Sequence, residues 1–354
     1  MSVTSQAYLN TRITAMSTSL LDREQLRELG RCSMDELAAR FQLQPLLDEQ
    51  LGKRAKGRAV EQSLIQVLLA ELTLLIRPMN PREQDLLLAW GRKAALFNLK
   101  TLIRGKLFQL DQAEIRDHLY DLPDNVCLAS HQELFRAESV LEVLRTLEQG
   151  PHRLIARQAR EVYAQKHDLF ALEAAIDQRY YAELIHQAMQ FQDDSAHPLR
   201  QLLGAMLDAI NLLWLLRFRF SYRLSPSETF FQLVPSPKLL HRDRLLQLAN
   251  LDTFERVLEA LPAPLNSLLA GSANLIDVQR RIGAYQSERA RRILASSHSG
   301  TARALAYLVL RESDLQRLFA LIQGRLLGLS QELVEEGMEL AQSNHPIDGM
   351  DAVA

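Results

Sequence analysis

Cysteine is nearly absent. Cys32 and Cys127 are the two in 354 residues, they stand far apart, and no CxxC pair occurs. That excludes a disulfide framework and a thiolate zinc site, and it fits a reducing compartment. Neither sign of charge prevails: 41 Lys and Arg stand against 43 Asp and Glu, a formal net charge of −2. The chain therefore has no global pull toward nucleic acid or acidic lipid, and an electrostatic partner must be met by a local patch. A long uncharged apolar run is missing too. The most apolar stretch, 199–220 (LRQLLGAMLDAINLLWLLRFRF), contains Arg200, Gln201, Asp208, Asn211, Arg217 and Arg219. A bilayer span needs roughly 20 residues almost free of charge, so this stretch reads as a buried core helix. The opening MSVTSQAYLNTR has no apolar h-region, so no signal peptide is expected.

Catalytic motifs are missing as well. Residues 52–59 (GKRAKGRA) have the two-glycine spacing of a phosphate loop but lack its Lys-Ser/Thr and a preceding strand, so a solvated basic loop is expected. No GxGxxG, GxSxG or HExxH occurs. His131-Gln132-Glu133 has the HxE spacing of a deaminase without the paired cysteines. Nine histidines are scattered, with no pair at i+3 or i+4. Asp193-Asp194 and Glu335-Glu336 are sequence neighbours that point about 100° apart on a helix, so a solvated face is their expected role. Arg280-Arg281 and Arg289–Arg292 form a basic cluster, but few aromatics accompany it for base stacking. Catalytic, cofactor and metal residues are thus expected to be none, and the chain reads as no enzyme.

What is present is helix. Hydrophobic residues make up 47% of the chain, enough to fill the two or three cores that its length requires. Leu, Ala, Arg, Glu and Gln abound, and alternating β-branched runs are all but missing. Leu64, Val67, Leu68, Leu72 and Leu75 form a helical stripe broken by Glu71. Helix ends are expected at Arg77-Pro78-Met79-Asn80-Pro81, Gln149-Gly150-Pro151, Leu224-Ser225-Pro226, Val234-Pro235-Ser236-Pro237 and Leu261-Pro262-Ala263-Pro264, because the residue before a proline is pushed out of the helical region. Asp22 and Ser33 are expected N-caps, Ser33 making a capping box with Glu36. The tail from Ser343 on lacks periodicity and is expected to fray.

The most informative feature is an internal repeat. Residues 98–107 (NLKTLIRGKL), 211–220 (NLLWLLRFRF) and 317–326 (RLFALIQGRL) align without gaps, roughly 110 residues apart. Leu99, Leu212 and Leu318 match; so do Leu102, Leu215 and Leu321, then Ile103, Leu216 and Ile322, then Leu107, Phe220 and Leu326, all on one helical face. A base follows in register: Lys106, Arg219 and Arg325. Chance alignment of Leu-rich helices would explain that much. It would not explain a matched follower at nearly equal distance: Leu134-Phe135-Arg136-Ala137-Glu138-Ser139 in one case, Leu248-Ala249-Asn250-Leu251-Asp252-Thr253 in the next. A looser echo, Leu29-Gly30-Arg31-Cys32-Ser33-Met34, stands near the N-terminus, while the third segment has no follower. The N-terminal segment is therefore expected to complete the third block. This gives three helical units: 1-51 with 266-354, then 52-150, then 151-265. Asn98, Asn211, Arg104 and Arg217 either hydrogen-bond within each unit or line a shared inner surface. Tyr180-Tyr181 either packs a core edge or presents phenols to a partner.

At these residues the sequence resembles a known family, the C subunits of bacterial and archaeal V-type ATPases, equivalent to the d subunit of the eukaryotic membrane sector. Ala7-Tyr8-Leu9-Asn10-Thr11-Arg12-Ile13-Thr14-Ala15-Met16 with Leu20-Leu21 is similar to the family's opening. Asn98-Leu99-Lys100-Thr101-Leu102-Ile103-Arg104-Gly105-Lys106 is close to its Asn-Leu-Lys-x-Ile-Ile-Arg-Gly-Lys. Ile176-Asp177-Gln178-Arg179-Tyr180-Tyr181 resembles its Asp-x-x-Tyr-Tyr element; Asp208, Asn211 and Arg217, then Tyr307, Glu312, Leu315 and 322–325, resemble its later helices. Thr11, Thr14 and Arg317 depart from the pattern. The resemblance implies an all-α fold of three similar helical domains around a pseudo-threefold axis, funnel-shaped with a central cavity. It implies a non-catalytic rotor adaptor on the cytoplasmic face of the membrane, with central-stalk subunits in the funnel mouth and the proteolipid ring at its base. On that reading Arg12, Lys100, Arg104, Arg217, Arg219 and Arg325 are expected partner contacts. The rival expectation is a helical scaffold of another multisubunit complex.

Overall fold

The computed structural model describes residues 3–47, 52–129, 131–150 and 152–341. All regular structure among them is helical. In chain order the α-helices are α1 (Val3–Ser17), α2 (Arg23–Arg31), α3 (Met34–Phe41), α4 (Lys53–Ile76), α5 (Pro81–Gly91), α6 (Lys93–Leu107), α7 (Gln112–Asp117), α8 (His131–Arg136), α9 (Val140–Glu148) and α10 (Arg153–Lys166). They continue with α11 (Leu169–Met189), α12 (Ala196–Leu216), α13 (Pro226–Gln232), α14 (Arg242–Ala249), α15 (Phe254–Glu259), α16 (Leu265–Leu269), α17 (Leu275–Ser296), α18 (Gly300–Leu327) and α19 (Gln331–Leu340). Short 3-10 and π-helical segments, Gln44–Leu47 and Arg217–Ser221, complete the set.

The expected stops and starts are where local chemistry puts them. Asp22 and Ser33 cap α2 and α3, each through a capping box, with Gln25 and Glu36 as the reciprocal partners. Pro226 occupies the first turn of α13 behind its cap Ser225, and Pro81 opens α5. Pro151 and the tail from Ser343 lie outside the described residues. One expectation is corrected. The basic segment after Gly52 is no loop but the opening of α4. Helix is favoured there because Arg58 pairs with Glu61 one turn on, at 2.7 Å, and the missing side chain of Gly57 leaves room for Gln323.

The chain forms two compact units, one from 1–84 with 283–344, the other from 85–282. In the first, α18 packs on α4, α1 and α19. Leu64, Leu68, Leu72 and Leu75 of the α4 stripe are buried, while Val67 is exposed. Glu71, which breaks the stripe, accepts hydrogen bonds from the Tyr307 hydroxyl (2.7 Å) and Arg311 Nε (3.1 Å), both on α18. In the second unit, α11 packs on α10, α12 and α6. Its core gathers Tyr181, Trp214, Phe218 and Phe170 in edge and stacked contacts. Tyr180 donates its phenol hydrogen to the Trp90 carbonyl at 2.9 Å and Tyr181 is buried beside it, so both phenols face the core. The stretch 199–220 is the buried centre of this unit, as its interspersed polar residues indicate.

Candidate functional site

The repeated residues carry out repeated tasks. Asn98, buried in α6, clamps one loop residue through both ends of its amide: Nδ2 donates to the Tyr120 carbonyl (2.8 Å) and Oδ1 accepts from the Tyr120 amide (2.7 Å). Asn211, in the same register of α12, does the same to Val234 at 2.6 and 3.0 Å. A buried loop must satisfy its backbone groups, and an Asn amide offers one donor and one acceptor for that purpose. Three residues before Asn211, Asp208 accepts from the Leu240 amide at 2.9 Å. In the third segment the Asn is absent and this carboxylate position takes over. Asp314 accepts from the Leu21 amide at 2.8 Å, and Arg317, standing where Asn would, reaches Asp314 at 3.3 Å. Burial pushes both the Asp208 and the Asp314 carboxyls up from the usual range.

The in-register bases cap the ends of other helices. Lys106 donates to the carbonyls of Phe135 (3.3 Å) and Ala137. Arg219 donates to those of Ala249 (2.9 Å) and Leu251 (3.3 Å). Arg325 donates to Gly30 at 2.6 Å. Each target is the segment that the sequence aligns as follower, just ahead of the N-caps of α9, α15 and α3, which are Ser139, Thr253 and Ser33. Cationic side chains suit helix C-termini because the last carbonyls there lack partners.

The remaining expected contact residues differ in what they can reach. Lys100 is 1% exposed, and its ammonium lies 2.9 Å from Asp177 on α11. Burial pushes the Asp177 carboxyl up and Lys100 pulls it back. One turn along, Arg104 makes a paired contact with Glu173 at 2.6 and 2.7 Å. Lys100 is thus enclosed with its counter-charge, while Arg104, Lys106, Arg219 and Arg325 are half-buried and each is tied to a group inside the chain. Arg12 lies over the exposed Tyr8 ring at 5.0 Å, and Arg217 is half-buried at the start of the π-helical turn. The basic cluster near Arg289 is likewise engaged. Arg281 donates to the Ala270 carbonyl, Arg289 to Tyr285, Arg291 to the Leu21 carbonyl and Arg292 to Glu288.

Sequence reasoning missed one repeated element, the corner that ends each core helix. Past α6, the turn after α12, and α18 stand Gln109, Arg223 and Gly328 with φ of 55°, 57° and 74°. The next residue turns back to the helix: Leu110 to Gly105 (2.9 Å), Leu224 to Phe218 (2.9 Å) and Leu329 to Gly324 (3.0 Å). This is the Schellman closure, and Gln and Arg accept left-handed backbone there at a cost of about 1 kcal/mol. The residue after that caps the following helix: Asp111, Ser225 and Ser330 for α7, α13 and α19. Gly105 and Gly324 let Ile115 and Val334 approach, since an added Cβ would lie 2.4 and 2.8 Å from them. The middle segment has Phe218 at that position, and there the helix takes an extra residue as the π-helical turn Arg217–Ser221. The signal was legible as Gly, Phe and Gly in one register.

No group of three or more His, Cys, Asp or Glu side chains that could hold a metal occurs among the described residues.

Comparison with known proteins finds relatives along most of the chain. The A-type ATP synthase C subunit of Methanocaldococcus jannaschii is 25% identical over 339 residues, covering 92% of this chain and 84% of that one. Its counterpart from Methanosarcina mazei is 23% identical over 343 residues, covering 93% and 91%. The Haloquadratum walsbyi protein of the same name is 25% identical over 349 residues, covering 93% and 96%. A family model described as ATP synthase (C/AC39) subunit matches residues 9–337, nearly the whole chain, so the chain belongs to that family of rotary ATPase subunits.

Proposed function

We propose that the chain is the non-catalytic adaptor that joins the central stalk of a rotary ATPase to its membrane ring of proteolipid subunits and carries torque between them. The observation that carries this reading is the family match along residues 9–337. Ion transfer yields about 2.3 kcal/mol per charge per 100 mV, and several such steps accumulate per ATP event. A joint under that load must resist deformation, which close-packed helices tied by buried polar latches do. The latches at Asn98 and Asn211 and the caps by Lys106, Arg219 and Arg325 support a finer reading. In it, three equivalent helical blocks surround an axis as a funnel, with both chain ends in one block, on the cytoplasmic face of the membrane.

Two helices have the length and composition of a membrane span, Ala55–Ile76 and Ala196–Ser221. The second is mostly buried in its unit and the first is not. We read the open face of the first, with Gln66, Val67 and Ala70 exposed, as a wall for the stalk rather than for lipid, because Glu71 on the same helix is ion-paired to Arg311. Arg12, beside the exposed Tyr8 ring, and Arg217, half-buried at its turn, are the proposed polar contacts.

The test is reconstitution of the full complex with and without the chain. ATP hydrolysis by the head should continue without it, and ATP-driven ion transport should cease. Equal transport in its absence would overturn the adaptor role.

A further inference from the structure

The third repeated segment breaks the pattern of the first two. In those, one Asn holds both backbone groups of a loop residue, Tyr120 or Val234. In the third, two other side chains do that work on Leu21: Asp314 accepts from its amide at 2.8 Å, and Arg291 donates to its carbonyl at 3.4 Å. Arg317, in the Asn position, is left with no loop to hold. Its guanidinium has one hydrogen-bond partner among the described residues, Asp314 at 3.3 Å, although the residue is 6% exposed. An enclosed cation with most of its five donors unused is unfavourable. Two more cations stand beside it in the same unit. Arg291 reaches Leu21 from α17, and the exposed Arg23 follows Leu21 two residues on, at the start of α2. Burial lowers the Arg317 pKa from its ordinary value; Asp314 opposes that shift, and the charges of Arg291 and Arg23 add to it. Arg311, also near Asp314, is balanced by Glu71. Three cations therefore share the one carboxylate of Asp314, an excess of two positive charges.

We propose that Arg317, Arg291 and Arg23 form a binding site for a phosphate group, free or carried by a nucleotide or a lipid. The guanidinium fork matches an oxyanion geometrically, and Arg holds its charge when enclosed. A carboxylate would leave one positive charge over, whereas a phosphate group of about two negative charges balances the excess. The ligand would join α17, α18 and the start of α2, so its binding stabilises the N-terminal segment. This goes beyond the adaptor reading and does not rest on it.

The experiment titrates the full-length chain with inorganic phosphate, with ADP and with vesicles of phosphatidic acid in phosphatidylcholine, following heat of binding and Tm. At least one of the three should bind saturably and raise Tm, and sodium chloride at equal ionic strength should not. Which of them binds tightest identifies the carrier of the phosphate group. Arg317→Asn, the residue that the other two repeats use, should weaken that binding roughly tenfold or more. Arg23→Gln, at an exposed position, should weaken it roughly threefold. Arg292→Gln, which removes a surface cation paired with Glu288 outside the cluster, should bind as the parent does. Should Arg317→Asn fail to fold, Arg23→Gln decides in its place. The proposal is overturned if none of the three probes binds saturably, if chloride raises Tm equally, or if the folded Arg317→Asn chain, or Arg23→Gln in its stead, keeps the parent affinity.

Discussion

Gly105 on α6 lies so close to Ile115 on α7 that a β-carbon added to the glycine would stand 2.4 Å from Cγ1 of the isoleucine. Gly105→Ala gains helix propensity of about 1 kcal/mol but must displace a β-branched side chain at the corner. A net loss of about 1–2 kcal/mol is expected in urea unfolding. Adding Ile115→Ala should make the Gly105→Ala change favourable, a coupling that a double-mutant cycle reads directly.

Asn98→Ala leaves the Tyr120 amide and carbonyl buried without partners, and Asn211→Ala does the same at Val234. Each should cost about 2–4 kcal/mol of stability. Asn98→Asp keeps the acceptor for the Tyr120 amide but, ionised, sets a carboxylate oxygen against the Tyr120 carbonyl in a buried site, so at neutral pH it should cost at least as much as Ala. A near-neutral Asp at that pH would show that the Nδ2 donor does not matter.

Lys100→Met leaves Asp177 buried without its counter-charge and should cost about 3–5 kcal/mol. Adding Asp177→Leu should recover most of the loss. Neither change should alter affinity for the central stalk in protein that remains folded, because the pair is enclosed. A selective loss of stalk binding at full stability would return Lys100 to the partner surface.

Arg325→Met should act locally. Its guanidinium holds the Gly30 carbonyl, which Gln331 also reaches at 2.9 Å. Without it, hydrogen exchange should rise in α2 and α3 well before the rest of the unit opens. Uniform exchange throughout would show that the N-terminal segment does not depend on this cap.

His152 has its pKa lowered to about 4, first by burial and then by Arg92. It shares a small cavity with Arg92, Tyr180, Glu183 and Gln187. The unfolded chain binds the proton at about 6.5, so between those values the unfolded state takes up more protons than the folded one. The stability tied to neutral His152 is complete above pH 6.5 and is lost as pH falls toward 4. Part exposure limits this to about 1–2 kcal/mol. His152→Gln should flatten the unfolding free energy across that window; an unchanged slope would place the acid sensitivity elsewhere.

Much of this molecule was open to sequence reasoning because much of it is local. The Ser33–Glu36 capping box joins residues three apart, and Pro81 and Pro226 act on their own turn. Apolar spacing and helix propensity reach no further than a few turns, so the all-helical class, the breaks and the register of the repeated segments could be read one stretch at a time. Arg325 donates to the Gly30 carbonyl, which ties the third segment to its looser N-terminal echo.

The fate of the charges was not open in that way. Lys100 reads as a partner contact until the fold brings Asp177, 77 residues on, to within hydrogen-bonding distance; whether a cation is a surface handle or an internal tie depends on which acid reaches it. Phe218 in a glycine position looks like an ordinary apolar match, and only packing against its neighbours turns it into a π-helical turn. Which apolar residues stay outside is likewise settled by the packing of whole elements. Phe108 and Leu327 resemble core residues in every local respect and yet stand exposed at their corners, while Tyr222 at the matching place packs edge-on against Phe170 at 5.1 Å.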